Sequence, residues 1–599
     1  MSIVAMQRVT LIGLVDRKRE TLRRLQALGV MHVDAPAVPE AADRRESLEL
    51  HQALTYLLAC PHRRRLQRPA DTPGLGELLE TIHTNRRRRE DLIDRLTLLR
   101  RHRRALAPWG DFHFPPLEAL GGQRLWFYRV PLGKHRLLEA LDLPWQVVNR
   151  DHRELYLVVI APEEPTGEQV PFARSHTGSR SLTAVDAAIE TARSELEDLD
   201  AERFMLTRWI VTLAGHVAQA ADTAELLRIM RASDDTAEAL FVIHGWVPRE
   251  RLPALVALDE SGEVALLERP PADDEEPPVL LDNPEWLAGG EEAVKFFQLP
   301  GYRSADPSAM VGLSFALFFA IILADAGYAL VFGALVALAR PRWKRSRTGR
   351  RLGRLGLAMS AGGLLYGVLV GSYFGLAPPA HSWAAGLAVM SMDDFGGMMR
   401  LSITIGVCHL IAGNALAARH ARPRRRALSN GGWILMLASG FALWLSLPTQ
   451  APRLPWLVGL ILGAVLVLLF TRVTPRIDGW RPALQRLIAG LTALGSVTQA
   501  FGHALSYMRL FALGLASASL AVTFNQLAVD VRDAVAGAGP LLFVLILLLG
   551  HALNFALALM GGVVHGLRLN LIEFLRWGVT GEGRPYQAFA NQEESTWIK

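Results

Sequence analysis

The chain has little cysteine: two residues in 599, Cys60 and Cys408, far apart and in different halves. That scarcity argues against a disulfide framework and a cysteine metal site. Residues 1–300 contain no glycine-rich phosphate loop, no metal-ligand cluster and no nucleophile elbow, so nothing there reads as catalytic or cofactor-binding. The opening Met-Ser-Ile-Val-Ala-Met-Gln-Arg-Val lacks the apolar core of a signal peptide, and the N-terminal half is expected to stay in the cytoplasm. Lysine and arginine are absent from 377–399, and 448–454 holds only Arg453. Loops so poor in positive charge are expected to face away from the cytoplasm.

What the chain does have is length in apolar runs. They span roughly 308–339, 354–376, 400–419, 430–447, 455–472, 485–528 and 540–575. Such runs suit membrane helices. The formal net charge of +6 hides a sharp division. Much of the basic charge of this half lies in short loops at 340–354, 419–427 and 473–485, the last with Arg472, Arg476, Arg481 and Arg486 in or beside it. It is a topology signal that puts those loops inside, and no nucleic-acid partner is expected.

The topology then constrains 308–339. The N-terminal half and the loop at 340–354 both lie inside, so this run must enter the bilayer and return. At about 1.5 Å rise per residue it is too short for two full spans. Two short helices are expected, broken near Asp325-Ala-Gly-Tyr328. Asp325 is read as the helix-breaking residue, with a functional carboxylate as the alternative. Counting this hairpin as two gives eight membrane helices and a cytoplasmic C-terminus. The runs 485–528 and 540–575 are longer than an upright span needs. Two long tilted helices that wrap a curved partner would accommodate them.

Within Gln485 to Leu527 sits Arg509. A charge at mid-membrane depth costs roughly 2.5–3.5 kcal/mol, and arginine cannot shed it. Arg568 lies in the last apolar run, with His565 one turn before it. Two arginines on neighbouring membrane helices point to ion movement or to a buried acidic partner. Gly502, Ser506, Gly514 and Ser517 keep the Arg509 helix slim. Small residues serve close helix packing, or room for a partner helix to slide past.

The soluble half opens with a strand at Val9–Val15, a short helix through Leu22, Leu25 and Leu28 ended by Gly29, and a second strand at Val30–Val33. This reads as a βαβ-like lobe. A heptad-like series follows: Leu78, Ile82, Asn85, Arg89, Leu92, Leu96, Leu99, Arg103 and Leu106. Strands are expected at Leu125–Val130 and Leu155–Ile160. A second heptad series runs from Val185 through Ile189, Leu196, Arg203 and Ile210 to Val217. Two such helices flanking a small lobe suggest an antiparallel coiled-coil hairpin. The basic runs Arg86–Arg89 and Arg100–Arg104 read as a solvated helix face, and His244 as a turn or packing residue. The expected architecture is multi-domain. Residues 1–269 form cytoplasmic α/β lobes joined by the coiled coil, and 270–307 an acidic, proline-rich linker. Residues 308–577 form the polytopic helical membrane domain, and 578–599 a cytoplasmic tail.

Several motifs together resemble one family. Ser506-Tyr-Met-Arg-Leu-Phe-Ala-Leu-Gly-Leu-Ala516 resembles the arginine-bearing helix of the rotary V-type/A-type ATPase membrane stator, subunit a or subunit I. His565-Gly-Leu-Arg-Leu-Asn-Leu-Ile-Glu-Phe574 and Gly581-Glu-Gly-Arg-Pro-Tyr-Gln-Ala-Phe589 resemble its last helix and tail. Gly245-Trp-Val-Pro248, Glu276-Pro-Pro-Val-Leu-Leu-Asp-Asn283, Asp306-Pro307, Asp325-Ala-Gly-Tyr328 and Gly371-Ser-Tyr-Phe-Gly375 follow the family order, and the compact length resembles the bacterial or archaeal subunit I. The resemblance implies a non-catalytic stator in the bacterial or archaeal cytoplasmic membrane. Its implied partners are a proteolipid ring with essential carboxylates, peripheral stalk subunits, a central-stalk or ring adaptor subunit, and the lipid bilayer. Two aqueous half-channels would load and unload the ring carboxylates. Arg509 would sit between them, favouring the ionised carboxylate and blocking a leak. Arg568 would add to that barrier. His503, Gln499, His565 and Glu573 would line the half-channels, or serve packing and hydrogen bonding.

The chain departs from the family at two places. Ala558 stands where some members carry glutamate, with Asn554 a turn earlier, and Ser517 where histidine is frequent. Two readings compete with the stator. A secondary transporter with a large cytoplasmic domain would show internal repeats, and none is convincing here. A structural scaffold would leave two costly arginines without a task.

Overall fold

A computed structural model describes residues 2–34, 44–65, 73–113, 116, 118–236, 239–259, 264–379, 381–390, 394–448, 452–472, 480–579 and 581–592. Arg476 of the third basic loop and the tail end, 593–599, lie outside the described residues. The chain divides into two compact units. One comprises Met1–Arg17, Val30–Asp34 and Asp234–Phe589; the other comprises Lys18–Gly29, Ala35–Ser233 and Ala590–Lys599.

The second unit is built on a long helix pair. Leu75–Leu106 packs against Leu182–Leu206, and Leu92, Leu96 and Leu99 meet Val185, Ile189 and Ala192 in a buried seam. Arg103 pairs with Asp186 at 2.5 Å, Arg89 with Asp200 at 2.7 Å, and Asn85 Nδ2 donates to Glu202 at 2.6 Å. Residue numbers rise on one helix as they fall on the other, so the pair is antiparallel. Asn85 is the polar member of the seam. Its amide oxygen also accepts from the Tyr56 hydroxyl at 2.6 Å, so its burial leaves no unmet demand there. At one end of the pair, Leu78, Leu79 and Ile82 join Leu50, Leu54 and Leu57 of helix Arg44–Leu58 and Leu213 of helix Ile210–Ala232. At the other is an antiparallel sheet ordered Trp145–Arg150, Glu154–Ala161, Arg124–Pro131, Ala173–Arg174. Alternate residues Leu155, Leu157 and Val159 fill its core.

The first unit opens with a sheet whose order corrects the βαβ-like expectation. Met6–Leu14 and His32–Val33 do not pair with each other. Leu240–Pro248 lies between them, antiparallel to both, and Val264–Arg269 takes the far edge. The inserted strand comes from far along the chain, so local periodicity gave no sign of it. Gly245 of the Gly-Trp-Val-Pro motif pairs with Val33, and a Cβ there would run into the His32 carbonyl oxygen.

The acidic, proline-rich stretch leads into a packed joint. Val279 and Leu281 are buried, and helix Ala288–Phe297 carries a fully buried Glu291. Its carboxylate accepts from Lys295 Nζ at 2.6 Å, Arg351 Nη1 at 2.8 Å and Asn283 Nδ2 at 3.2 Å. The tail returns to the first sheet: Tyr586 Oη donates to the Val30 carbonyl at 2.6 Å, and Phe589 N to the Met31 carbonyl at 2.7 Å.

Among the described residues, five helical stretches are long and apolar enough to cross a membrane: Arg347–Val370, Phe395–His420, Arg424–Ser446, Ala483–Ala534 and Gly539–Gly578. Three shorter apolar helices accompany them: Ser308–Leu323, Ala326–Leu338 and Leu454–Phe470. The break expected near Asp325 is there. Ala324 is left-handed, with φ 49°, and Asp325 caps the second helix by accepting from Tyr328 N at 2.9 Å. The run 485–528 is not one unbroken helix. It is divided into Trp480–Leu494, Val497–Ser506 and Met508–Ala534, with interruptions at Gly495-Ser496 and at Tyr507.

Candidate functional site

Tyr507 decides where Arg509 sits. Its ring is fully buried, and its hydroxyl meets His409 Nδ1 at 2.8 Å on helix Phe395–His420. Gly406, one turn before His409, leaves room for the ring, since a Cβ there would come 2.5 Å from it. Arg509 therefore starts a new helix, Met508–Ala534, in its first turn.

The last helix, Gly539–Arg568, runs into a π-helical turn, Leu569–Phe574. The wider turn brings residues five apart onto one side, where an α-helix would hold them well apart. Glu573 thus comes within 4.0 Å of Arg568 Nε. Its carboxylate is also coupled electrostatically to Arg509 and lies within hydrogen-bonding reach of Ser506. His565 is coupled to both arginines. Arg509, Arg568, His565 and Glu573, which the sequence singled out, come together in one cluster.

This cluster is polar and incompletely satisfied. Arg509 Nη1, His565 Nδ1 and Glu573 Oε2 are buried without a hydrogen-bond partner. Native proteins pair nearly all such groups, and orphans concentrate at sites with another task. His503 does not join as its six-residue spacing from Arg509 suggests. The interruption at Tyr507 breaks the helical register, and the His503 ring instead meets Trp577 edge-on, with centroids 6.4 Å apart. Gln499 is exposed.

A second polar chain follows the same two helices away from the arginines. Asn554 Nδ2 donates to the Ser517 carbonyl at 2.8 Å and to Tyr328 Oη at 3.0 Å. Tyr328 Oη meets His551 Nδ1 at 2.7 Å, and His551 Nε2 meets Asn525 Oδ1 at 3.0 Å. For a neutral imidazole one assignment satisfies both contacts: Tyr328 donates to Nδ1, and Nε2 carries the ring proton that Asn525 accepts. Asp325 holds the base of this chain. It accepts from Ser372 Oγ at 2.7 Å and Gly375 N at 3.0 Å. Tyr328, His551 and Asn525 were not foreseen. The available signal was three polar residues in otherwise apolar runs.

The sequence is similar to those of several curated proteins. No protein-family model matches the chain. V-type ATP synthase subunit I 1 of Treponema pallidum (strain Nichols) is 26% identical over 629 residues, covering 96% of this chain and 97% of that protein. The chain is thus similar along nearly its whole length to a V-type ATP synthase subunit I. A-type ATP synthase subunit I of Methanocaldococcus jannaschii is 26% identical, covering 68% of this chain and 64% of that protein. The solved cytoplasmic N-terminal domain of a V-ATPase subunit I, homolog of subunit a, is similar at 15% identity over 44% of this chain and 100% of that one. Its TM-score of 0.23 carries no argument about the fold.

With five helices of crossing length among the described residues and this likeness, the chain is a multi-pass membrane protein. The departures noted in its sequence, Ala558 and Ser517, are both buried beside the second polar chain. Ser517 Oγ lies 3.4 Å from Asn554 Oδ1.

Proposed function

We propose that the chain is the membrane stator of a rotary V/A-type ATPase, with Arg509 separating two ion half-channels that face a proteolipid ring. The single observation that carries this reading is the buried, unpartnered Arg509 Nη1 in a cluster with His565 and Glu573. A permanent cation with spare hydrogen-bonding capacity suits a passing carboxylate, which it would hold ionised until the site has moved on. The surface beside it supports a moving partner. Phe501 is 65% exposed, and a Cβ at Gly502 would meet nothing within 4 Å.

On this reading Glu573, Ser506 and His503 serve the half-channel on the side of the basic loops. The chain from Asn554 through Tyr328 and His551 to Asn525 serves the other, in place of the glutamate and histidine found in relatives. Counting the three shorter helices gives eight crossings, with the N-terminal half and the C-terminus on the cytoplasmic side. The antiparallel helix pair acts as a coiled-coil strut for the peripheral stalks. The chain itself hydrolyses no nucleotide.

The test is ATP-driven ion transport by the reconstituted complex carrying Arg509→Ala, at matched assembly. Transport should be lost while the ring stays bound. Unchanged transport removes Arg509 from the mechanism and returns the transporter and scaffold readings.

A further inference from the structure

A cavity of about 400 Å³ lies where helices Phe395–His420, Ala427–Ser446 and Leu575–Gly578 come together. Arg303, Arg422, Arg426 and Arg576 line it, and among the described residues no aspartate or glutamate does. Arg303 is engaged with Asp273 at 3.0 Å. Arg422, Arg426 and Arg576 enter no ion pair among the described residues. Trp433 and Trp577 complete the wall, edge to face with centroids 4.9 Å apart.

These observations ask for an anion. A guanidinium only donates hydrogen bonds. A path for a cation would not be walled by arginines without a carboxylate, so this cavity does not serve as one of the half-channels, although its Trp577 also packs against His503. The surroundings select the kind of anion. Most of the apolar helix Arg424–Ser446 is left uncovered by the rest of the chain: 22% of its apolar window is buried. Free phosphate would leave that apolar surface uncovered, whereas acyl chains would lie along it. Tryptophans and basic pockets at the ends of membrane helices suit the headgroup level of a bilayer.

We propose that this cavity holds the phosphate headgroup of an anionic glycerophospholipid, bound by Arg422, Arg426 and Arg576. The site goes beyond the stator reading and needs no ring to be tested.

The full-length chain, purified in neutral detergent, would be titrated with phosphatidylglycerol and with phosphatidylcholine, and retained lipid counted by native mass spectrometry. Wild type should prefer phosphatidylglycerol at least tenfold. The triple variant Arg422→Gln/Arg426→Gln/Arg576→Gln should lose about tenfold of that preference. Arg576→Gln alone, on a different segment from the other two arginines, should lose about threefold even if the triple variant misfolds. Arg340→Gln/Arg342→Gln, in another basic loop, should change nothing. Three results would overturn the proposal: equal retention of both lipids by wild type, an equal loss in the Arg340/Arg342 control, or full displacement by inorganic phosphate, which would mark a free-anion site.

Discussion

The Tyr507 hydroxyl meets Nδ1 of His409 at 2.8 Å, and Phe574 stacks on the other side of that imidazole with centroids 4.4 Å apart. His409 therefore fixes two chain positions at once. One lies two residues before Arg509, the other immediately after Glu573. The cluster is assembled from two helices, but its spacing is set by a third.

Tyr507→Phe should separate stability from ion transport. It leaves the ring in place but strips the buried imidazole of its partner, a loss of about 1–3 kcal/mol. The purified chain should unfold at lower temperature, with transport largely retained. Gly406→Val should do worse, because the new side chain would displace the Tyr507 ring and the start of the Arg509 helix with it. Overpacking of this kind costs about 1–3 kcal/mol, and here transport should fall as well. A Tyr507→Phe protein as stable as wild type would show that His409 is not the anchor.

Much of this site was legible because charge is so costly in an apolar run. Arg509, Arg568, His565 and Glu573 stand out by composition alone, and the structure gathers them. The break at Asp325 was legible too, from the conflict between loop charges and available length. What escaped depended on other segments. Tyr507 interrupts its helix because a pocket over Gly406 receives it, and no local pattern encodes that pocket. Glu573 reaches Arg568 through a π-helical turn that periodicity does not announce. The strand Leu240–Pro248 enters between the first two strands from far along the chain.

His551→Phe should reduce ATP-driven transport at least tenfold at matched assembly. It removes a ring that both accepts from Tyr328 and donates to Asn525. A positioned acid–base group typically contributes more than that. His551→Gln discriminates between roles. An amide can hold hydrogen bonds but cannot pass a proton through an imidazole. Full transport in the glutamine variant would mean that His551 only packs the two helices together.

Glu291 should make stability depend on acid. Burial alone would raise its proton affinity, but hydrogen bonds from Lys295, Asn283 and Arg351 outweigh it and hold the carboxyl below its ordinary range. A group depressed on folding stabilises fully above its unfolded value, near 4.3 for glutamate. That contribution is lost as pH falls further, through the folded value. Melting temperature should therefore be flat above about pH 5 and fall below it, from this group's contribution. Glu291→Gln should flatten the fall and cost about 2 kcal/mol at neutral pH, since charged hydrogen bonds are exchanged for neutral ones. An unaltered acid limb in the variant would assign the effect elsewhere.

Arg568 and Glu573 should prove energetically coupled but not interchangeable. Their closest atoms are 4.0 Å apart, with the arginine side chain 50% exposed and the glutamate 2% exposed. Solvent around Arg568 weakens the pair, so a coupling of about 1 kcal/mol is expected from a double-mutant cycle on unfolding. Arg568→Gln alone should destabilise more than Glu573→Gln alone, because it leaves a buried carboxylate with less positive charge nearby. The double variant should regain part of that loss. Transport should not follow the same pattern. If Glu573 serves the ion path, Glu573→Gln should impair transport, and adding Arg568→Gln should not restore it. Recovery of transport in step with stability would make the pair a structural clasp and leave Arg509 as the site's only working charge.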